Sequence, residues 1–100
     1  MDTACPHCTR HKERSPEEYK SLMNRLSRIE GQIRGIRGMV EKGAYCPDIL
    51  VQSAAVNAAI NAFNRELLAS HIRTCVRNDI QAGNDKVIDE LLATLQKLMK

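Results

Sequence analysis

"CPDILVQSAAVNAAINAFNRELLASHIRTCVRNDIQAG", residues 46–83, holds its one proline at position 47 and its one glycine at position 83. Pro47 suits the first turn of a helix, and Asp48 beside it complements the helix dipole. Nothing between Pro47 and Gly83 stops a helix once it has started. The stretch therefore predicts a single helix of about 35 residues, roughly 50 Å long at 1.5 Å rise per residue. A compact globule of this chain length has a radius of gyration of only about 13 Å. Helices of such length cannot cover one another's apolar faces within one subunit, so the sequence predicts an oligomer.

The flanking segments continue the helical pattern. "SPEE" offers Ser15 as N-cap, Pro16 at the first helical position and Glu18 to complete a capping box. Leu22, Leu26, Ile29, Ile33, Ile36 and Val40 then recur every three or four residues, a heptad seam ending near Gly43. Gly31, Gly35 and Gly38 each cost roughly 1 kcal/mol of helix propensity against alanine, a deficit that close approach of another helix is expected to offset. "AGND" marks a break. "KVIDELLATLQKLMK" follows as a third helix with Val87, Leu91, Leu95 and Leu98 in register.

Composition agrees with an all-α chain. There are one Phe, two Tyr and no Trp among 100 residues, and strand-type runs of β-branched and aromatic residues are missing. Residues 1–14, "MDTACPHCTRHKER", are polar and without apolar periodicity, so they read as a flexible tail ahead of a single domain over 15–100. No stretch resembles a signal peptide or could span a bilayer. A cytoplasmic protein without membrane partners is the expectation, and its four cysteines are then ligands or redox thiols before they are disulfides. The net charge of +3 permits a nucleic-acid partner without requiring one.

His71 and Cys75 lie four residues apart, on one helical face, and can hold one soft metal ion between them. Two ligands rarely make a selective site. The best third ligand is Cys46, 25 residues before His71, or roughly 37 Å away along an unbroken helix. One chain cannot close that gap. Two antiparallel copies can, with Cys46 of one subunit meeting His71 and Cys75 of the other at two symmetric sites. Two thiolates and an imidazole suit Cu(I), which accepts low coordination, better than Zn(II) or Ni(II), which favour four ligands. The plainer arrangement, two small buried thiols and a surface imidazole, fits the spacing equally well.

No helix-turn-helix or zinc finger is visible, so any DNA contact must use a helical face. Arg34 has Glu30, and Arg37 has Glu41, at the spacing of intrahelical ion pairs. Arg25 and Arg28, with Ser21 and Gln32 on the same flank, lack acidic partners at helical spacing. They are the candidates for phosphate contacts and base edges, against the plainer reading of a solvated face. Arg65, Arg73 and Arg77 are weaker candidates. In the tail, "CPHC" is the active-site tetrapeptide of certain disulfide oxidoreductases, but no strand or βαβ pattern surrounds it. Auxiliary metal capture by Cys5 and Cys8, with His7 or His11, competes there with a dispensable tail.

"NRLSRIEGQIRGIRGMVEKGAYCPDILVQSAAVNAAINA", "HIRTCV" and "DELLATLQKLMK" together resemble the copper-sensitive operon repressor (CsoR) family, from about Glu18 to the C-terminus. The resemblance implies an all-α, three-helix subunit paired in an antiparallel dimer and assembled into a flat homotetramer. It also implies a repressor without catalytic activity that binds operator DNA and is released by Cu(I). The family's ligand pattern falls on Cys46, His71 and Cys75, and its tyrosine and glutamate behind the ligands on Tyr45 and Glu90. The linker before Glu90 is one residue shorter here. The resemblance favours Arg25, then Arg28, for DNA. Relatives on this scaffold sense nickel, cobalt, formaldehyde or persulfide. Nickel and cobalt sensors recruit a nitrogen ligand near the start of the first helix, where this chain has Arg14, with His11 three residues away. Formaldehyde sensors lack the second cysteine and persulfide sensors the histidine, so the Cys-His-Cys set favours Cu(I). Outside the repressors, a copper-buffering protein without DNA binding is the rival.

Overall fold

Ser15 sits in extended backbone (φ −62°, ψ 153°), and its hydroxyl accepts a 3.1 Å hydrogen bond from the Glu18 N–H. That cap, with Pro16 in the first turn, starts helix α1 at Pro16–Glu41. Only half of the expected capping box is visible. The Glu18 Oε2 lies toward the preceding segment, 3.8 Å from Lys12 Nζ and 3.9 Å from Arg14 Nε. The computed structural model describes residues 11–99.

α1 ends because Gly43 adopts φ +71°, a conformation that strains any residue with a Cβ. The Ala44 N–H reaches the Met39 carbonyl at 2.9 Å and the Gly43 N–H that of Val40 at 3.1 Å, the paired bonds of a Schellman ending. The long helix α2 follows in three contiguous pieces: α-helical Cys46–His71, a π-helical turn Ile72–Val76, and α-helical Arg77–Gln81. It closes with the same ending as α1. Gly83 has φ +86°, Asn84 N–H bonds the Asp79 carbonyl at 2.8 Å, and Gly83 N–H bonds that of Ile80 at 3.0 Å. Helix α3 spans Lys86–Leu98.

The π turn is the departure from the expected uniform helix. Three of its five residues, Ile72, Thr74 and Val76, are β-branched and crowd a tight α-helical turn. The Thr74 hydroxyl also donates to the Ser70 carbonyl at 2.8 Å, an acceptor that an ordinary α-turn fills with a backbone N–H. The chain stays helical throughout, so the two ends of α2 remain far apart.

The core of the chain is small. Among the described residues, Leu22 and Ile29 of α1, Val56 and Val76 of α2, and Val87 of α3 are the buried apolar ones. The seam of α1 is covered only in part: Leu22 and Ile29 are buried, whereas Ile33 and Val40 are 51% and 61% exposed, and Leu50 and Val51 of α2 are exposed too. Among the described residues no other helix closely approaches the glycines. A Cβ on Gly35 or Gly38 would meet nothing within 4 Å, and one on Gly31 only the end of Arg34. The radius of gyration is 17.2 Å and the extents are 56 × 31 × 24 Å, the elongated shape that the helix length demanded. No helix of the described residues is long and apolar enough to cross a membrane.

Candidate metal centre and nucleic-acid interface

His71 ends the first part of α2 and Cys75 lies within the π turn, so the irregular turn carries the predicted ligand pair. Single π-helical turns inside α-helices recur at functional sites. Both side chains are half-buried and line an open cleft of about 770 Å³ with Asp89 and Glu90 of α3 and with His11, Lys12 and Arg14 ahead of α1. Glu90 thus borders the same space as His71. Thr74 Oγ1 lies 3.7 Å from Cys75 Sγ, a neighbour that ligand spacing alone does not reveal.

Cys46 stands at the other end of α2. It is exposed, at the first helical position, beside Tyr45, which is exposed as well. With the helix continuous, 25 residues still place Cys46 roughly 37 Å from His71. Among the described residues no three His, Cys, Asp or Glu side chains of one chain gather closely enough to hold a metal. The chain thus carries one thiol at one end of α2 and an imidazole with a thiol near the other. Cys5 and Cys8, with His7, lie outside the described residues.

Lys12 carries no signal in the sequence, yet it belongs to this region. Its Nζ donates to Ser70 Oγ at 2.8 Å and fixes the segment before α1 beside His71. The two residues are 58 positions apart, so no local pattern could reveal the contact.

Arg25 indeed has no acidic partner at helical spacing on α1, but the structure gives it one from α2. Arg25 Nε lies 2.6 Å from Glu66 Oε1 of α2. Helical spacing tests only one helix, and this carboxylate arrives from its neighbour. The Arg25 hydrogen bond, a second one from Ser21 and the nearby positive charge hold the Glu66 carboxyl below its ordinary 4.5, against the opposing effect of burial. Arg28 is exposed. Gln32 is half-buried, with its Oε1 enclosed and unpartnered. Glu30–Arg34 and Arg37–Glu41 do not close as ion pairs among the described residues, which leaves Arg34 and Arg37 exposed on α1 beside Arg28.

One thiol at the start of a long helix, an imidazole and a thiol near its far end, and a second helix rich in arginine are the features to set beside known proteins. Residues 18–97 match the metal-sensitive transcriptional repressor family, and the chain belongs to it. It is 46% identical over 88 residues to the copper-sensing transcriptional repressor CsoR of Bacillus subtilis, covering 87% of each chain. The structure of the copper-sensing repressor CsoR with Cu(I) from Geobacillus thermodenitrificans superposes with a TM-score of 0.85 at 40% identity, over 90% of this chain and 95% of that one. The nickel-responsive transcriptional regulator InrS superposes with a TM-score of 0.69 at 38% identity, over 87% and 96%.

Proposed function

We propose that this protein is a cytoplasmic, Cu(I)-responsive transcriptional repressor without catalytic activity. The apo oligomer holds operator DNA, and Cu(I) releases it. The observation that carries this reading is the division of the donors. Cys46 at one end of α2 and His71 with Cys75 at the other become one three-ligand site when two subunits pair antiparallel. The same pairing covers Ile33, Val40, Leu50 and Val51, which a lone subunit leaves in water. Two such dimers would assemble into the flat tetramer.

The donor set fits the ion. Two thiolates and one imidazole match a soft d¹⁰ cation that accepts three ligands. The relatives named for copper sensing and the likeness to a Cu(I)-bound repressor support the same choice. Glu90, bordering the cleft with His71, would accept the imidazole N–H that is not turned to the metal, fixing the tautomer and linking the ion to α3. Tyr45 would serve beside Cys46. Arg25 and Arg28, with Gln32, would meet the DNA.

One observation favours a second reading, a nickel sensor on the same scaffold. His11 borders the cleft of His71 and Cys75 and would supply the extra nitrogen that Ni(II) favours. Fluorescence anisotropy of a labelled GC-rich operator fragment separates the readings. Reduced protein should bind it in a salt-dependent manner and let go as Cu(I) reaches one equivalent per subunit, with Ni(II) a poor effector. Release by Ni(II) at equal potency would replace copper with nickel. Copper binding without any DNA binding would leave only a copper buffer.

A further inference from the structure

α2 reaches the arginine face of α1 through one carboxylate. Glu66 Oε1 accepts from Arg25 Nε at 2.6 Å. A guanidinium has five N–H donors in a planar fork, and this contact uses only the one on Nε. The side chain of Arg25 keeps 41% of its surface exposed, and its Nη groups make no other bond among the described residues. Glu66 therefore does not mask Arg25. It holds the stem and leaves the outer edge of the fork, the edge that grips phosphate in bidentate fashion, facing away.

A long flexible side chain held in one pose before DNA arrives has already given up the rotamer freedom that binding would otherwise remove. Glu66 also lies five residues before His71, on the same uninterrupted helix and just ahead of the π turn that carries Cys75. We infer that Glu66 is a positioning residue that presets Arg25 for a DNA phosphate and conveys the state of the metal site from α2 to α1. Were the end of α2 that carries His71 and Cys75 to shift toward Cys46 of the partner subunit on metal binding, the carboxylate would move with it and the fork would leave its pose. This inference rests on the repressor reading and on Arg25 as a DNA contact, and neither the ligand set nor the family resemblance assigns Glu66 a role.

The test compares wild type, Arg25→Ala, Glu66→Ala, Glu66→Gln and the Arg25→Ala/Glu66→Ala double variant, all in the full-length oligomer. Operator affinity is read by anisotropy at fixed salt, Cu(I) affinity by competition with a chromophoric chelator, and helix content by circular dichroism. Glu66→Ala should weaken apo operator binding about 5- to 10-fold, within the range of coupling between residues in contact. Glu66→Gln, which keeps an oxygen acceptor for Nε, should recover part of that affinity. The double variant should bind no more weakly than Arg25→Ala alone. Cu(I) affinity of the free proteins should stay within about twofold, while the drop in operator affinity caused by Cu(I) becomes smaller in Glu66→Ala. Wild-type or tighter operator binding by Glu66→Ala, or additive effects in the double variant, would overturn the inference and leave the repressor reading intact. Wild-type binding by Arg25→Ala would remove both Arg25 from the DNA surface and Glu66 from its role. Should Glu66→Ala lose helix content, Glu66→Gln added to Arg25→Ala decides: no further loss of operator affinity supports the inference, and an additional loss overturns it.

Discussion

Lys12 Nζ donates to Ser70 Oγ at 2.8 Å, and Ser70 is the residue before His71. An ammonium group that also lies 3.8 Å from Glu18 Oε2 thus ties the segment ahead of α1 to the part of α2 that carries His71 and Cys75. That contact keeps His11 and Arg14 at the rim of the cleft.

Lys12→Ala should free this segment while leaving the helices in place. A hydrogen bond from a charged group contributes roughly 1.5–3 kcal/mol when well formed, less here because the contact is only part-buried. Backbone NMR order parameters over residues 11–15 should fall, with those of α2 unchanged. Unaltered order parameters there would mean that Lys12 does not anchor the segment.

Gly43→Ala and Gly83→Ala should each destabilise the protein by about 1–2 kcal/mol, because both positions have φ in the left-handed region. Gly35→Ala should instead be neutral or stabilising in the isolated subunit, where its Cβ meets nothing within 4 Å. Urea unfolding at one fixed protein concentration checks the two helix-end variants, and a loss of stability in Gly35→Ala would instead point to another chain packed against α1. A Gly43→Ala protein as stable as wild type would contradict the ending described for α1.

These helix ends were readable because Pro and Gly act within a few residues of where they stand. Ser15, Pro16 and Pro47 mark starts, and Gly43 and Gly83 mark stops, without help from the rest of the fold. That His71 and Cys75 border one cleft was legible for the same reason, being a spacing on one helix. Arg25–Glu66 and Lys12–Ser70 were not. Each joins residues 41 or 58 positions apart, and a pattern of period 3.6 carries no information about which face of a second helix will meet it. The π turn escaped as well. Its β-branched residues were visible, but "IRTCV" differs from an ordinary α-helical run by too little to reveal it. For the glycines of α1 the sequence suggested a close neighbour, and the subunit alone provides none.

Acid should expose the Glu66 contact. Its carboxyl is held below the ordinary 4.5 in the folded chain, so the folded state favours the ionised form more than the unfolded state does. The stabilisation is fully present above the unfolded value and is lost as pH falls below it, through the depressed folded value. Between neutrality and pH 5 the stability difference between wild type and Glu66→Gln should therefore hold steady, then shrink as the solution is acidified further. A difference that stayed constant down to the lowest pH at which both proteins remain folded would rule out an ionised pair.

Arg25→Ala and Arg28→Ala test the DNA face through salt rather than through affinity alone. Removing one side chain that neutralises a phosphate should flatten the log–log dependence of operator affinity on salt by about 0.9. Metal affinity of the free protein should hardly move. His71→Ala should do the reverse, leaving apo operator binding in place while abolishing release by Cu(I). An unchanged salt slope in Arg28→Ala would remove Arg28 from the surface that meets DNA.

A metal site shared between two chains underlies the whole proposed function, and a mixed dimer can reveal it. One chain carries Cys46→Ala, the other His71→Ala with Cys75→Ala, and both carry Cys5→Ser and Cys8→Ser so that no other cysteine contributes. Each homodimer then has two damaged sites. In the mixed dimer, isolated by two affinity tags, every defect falls in one site and the other keeps all three native ligands. The measurement is Cu(I) bound in competition with a high-affinity chelator. One tightly bound Cu(I) per mixed dimer, against none in either homodimer, is the predicted result. A folded mixed dimer that binds no better than its parents would contradict the shared site.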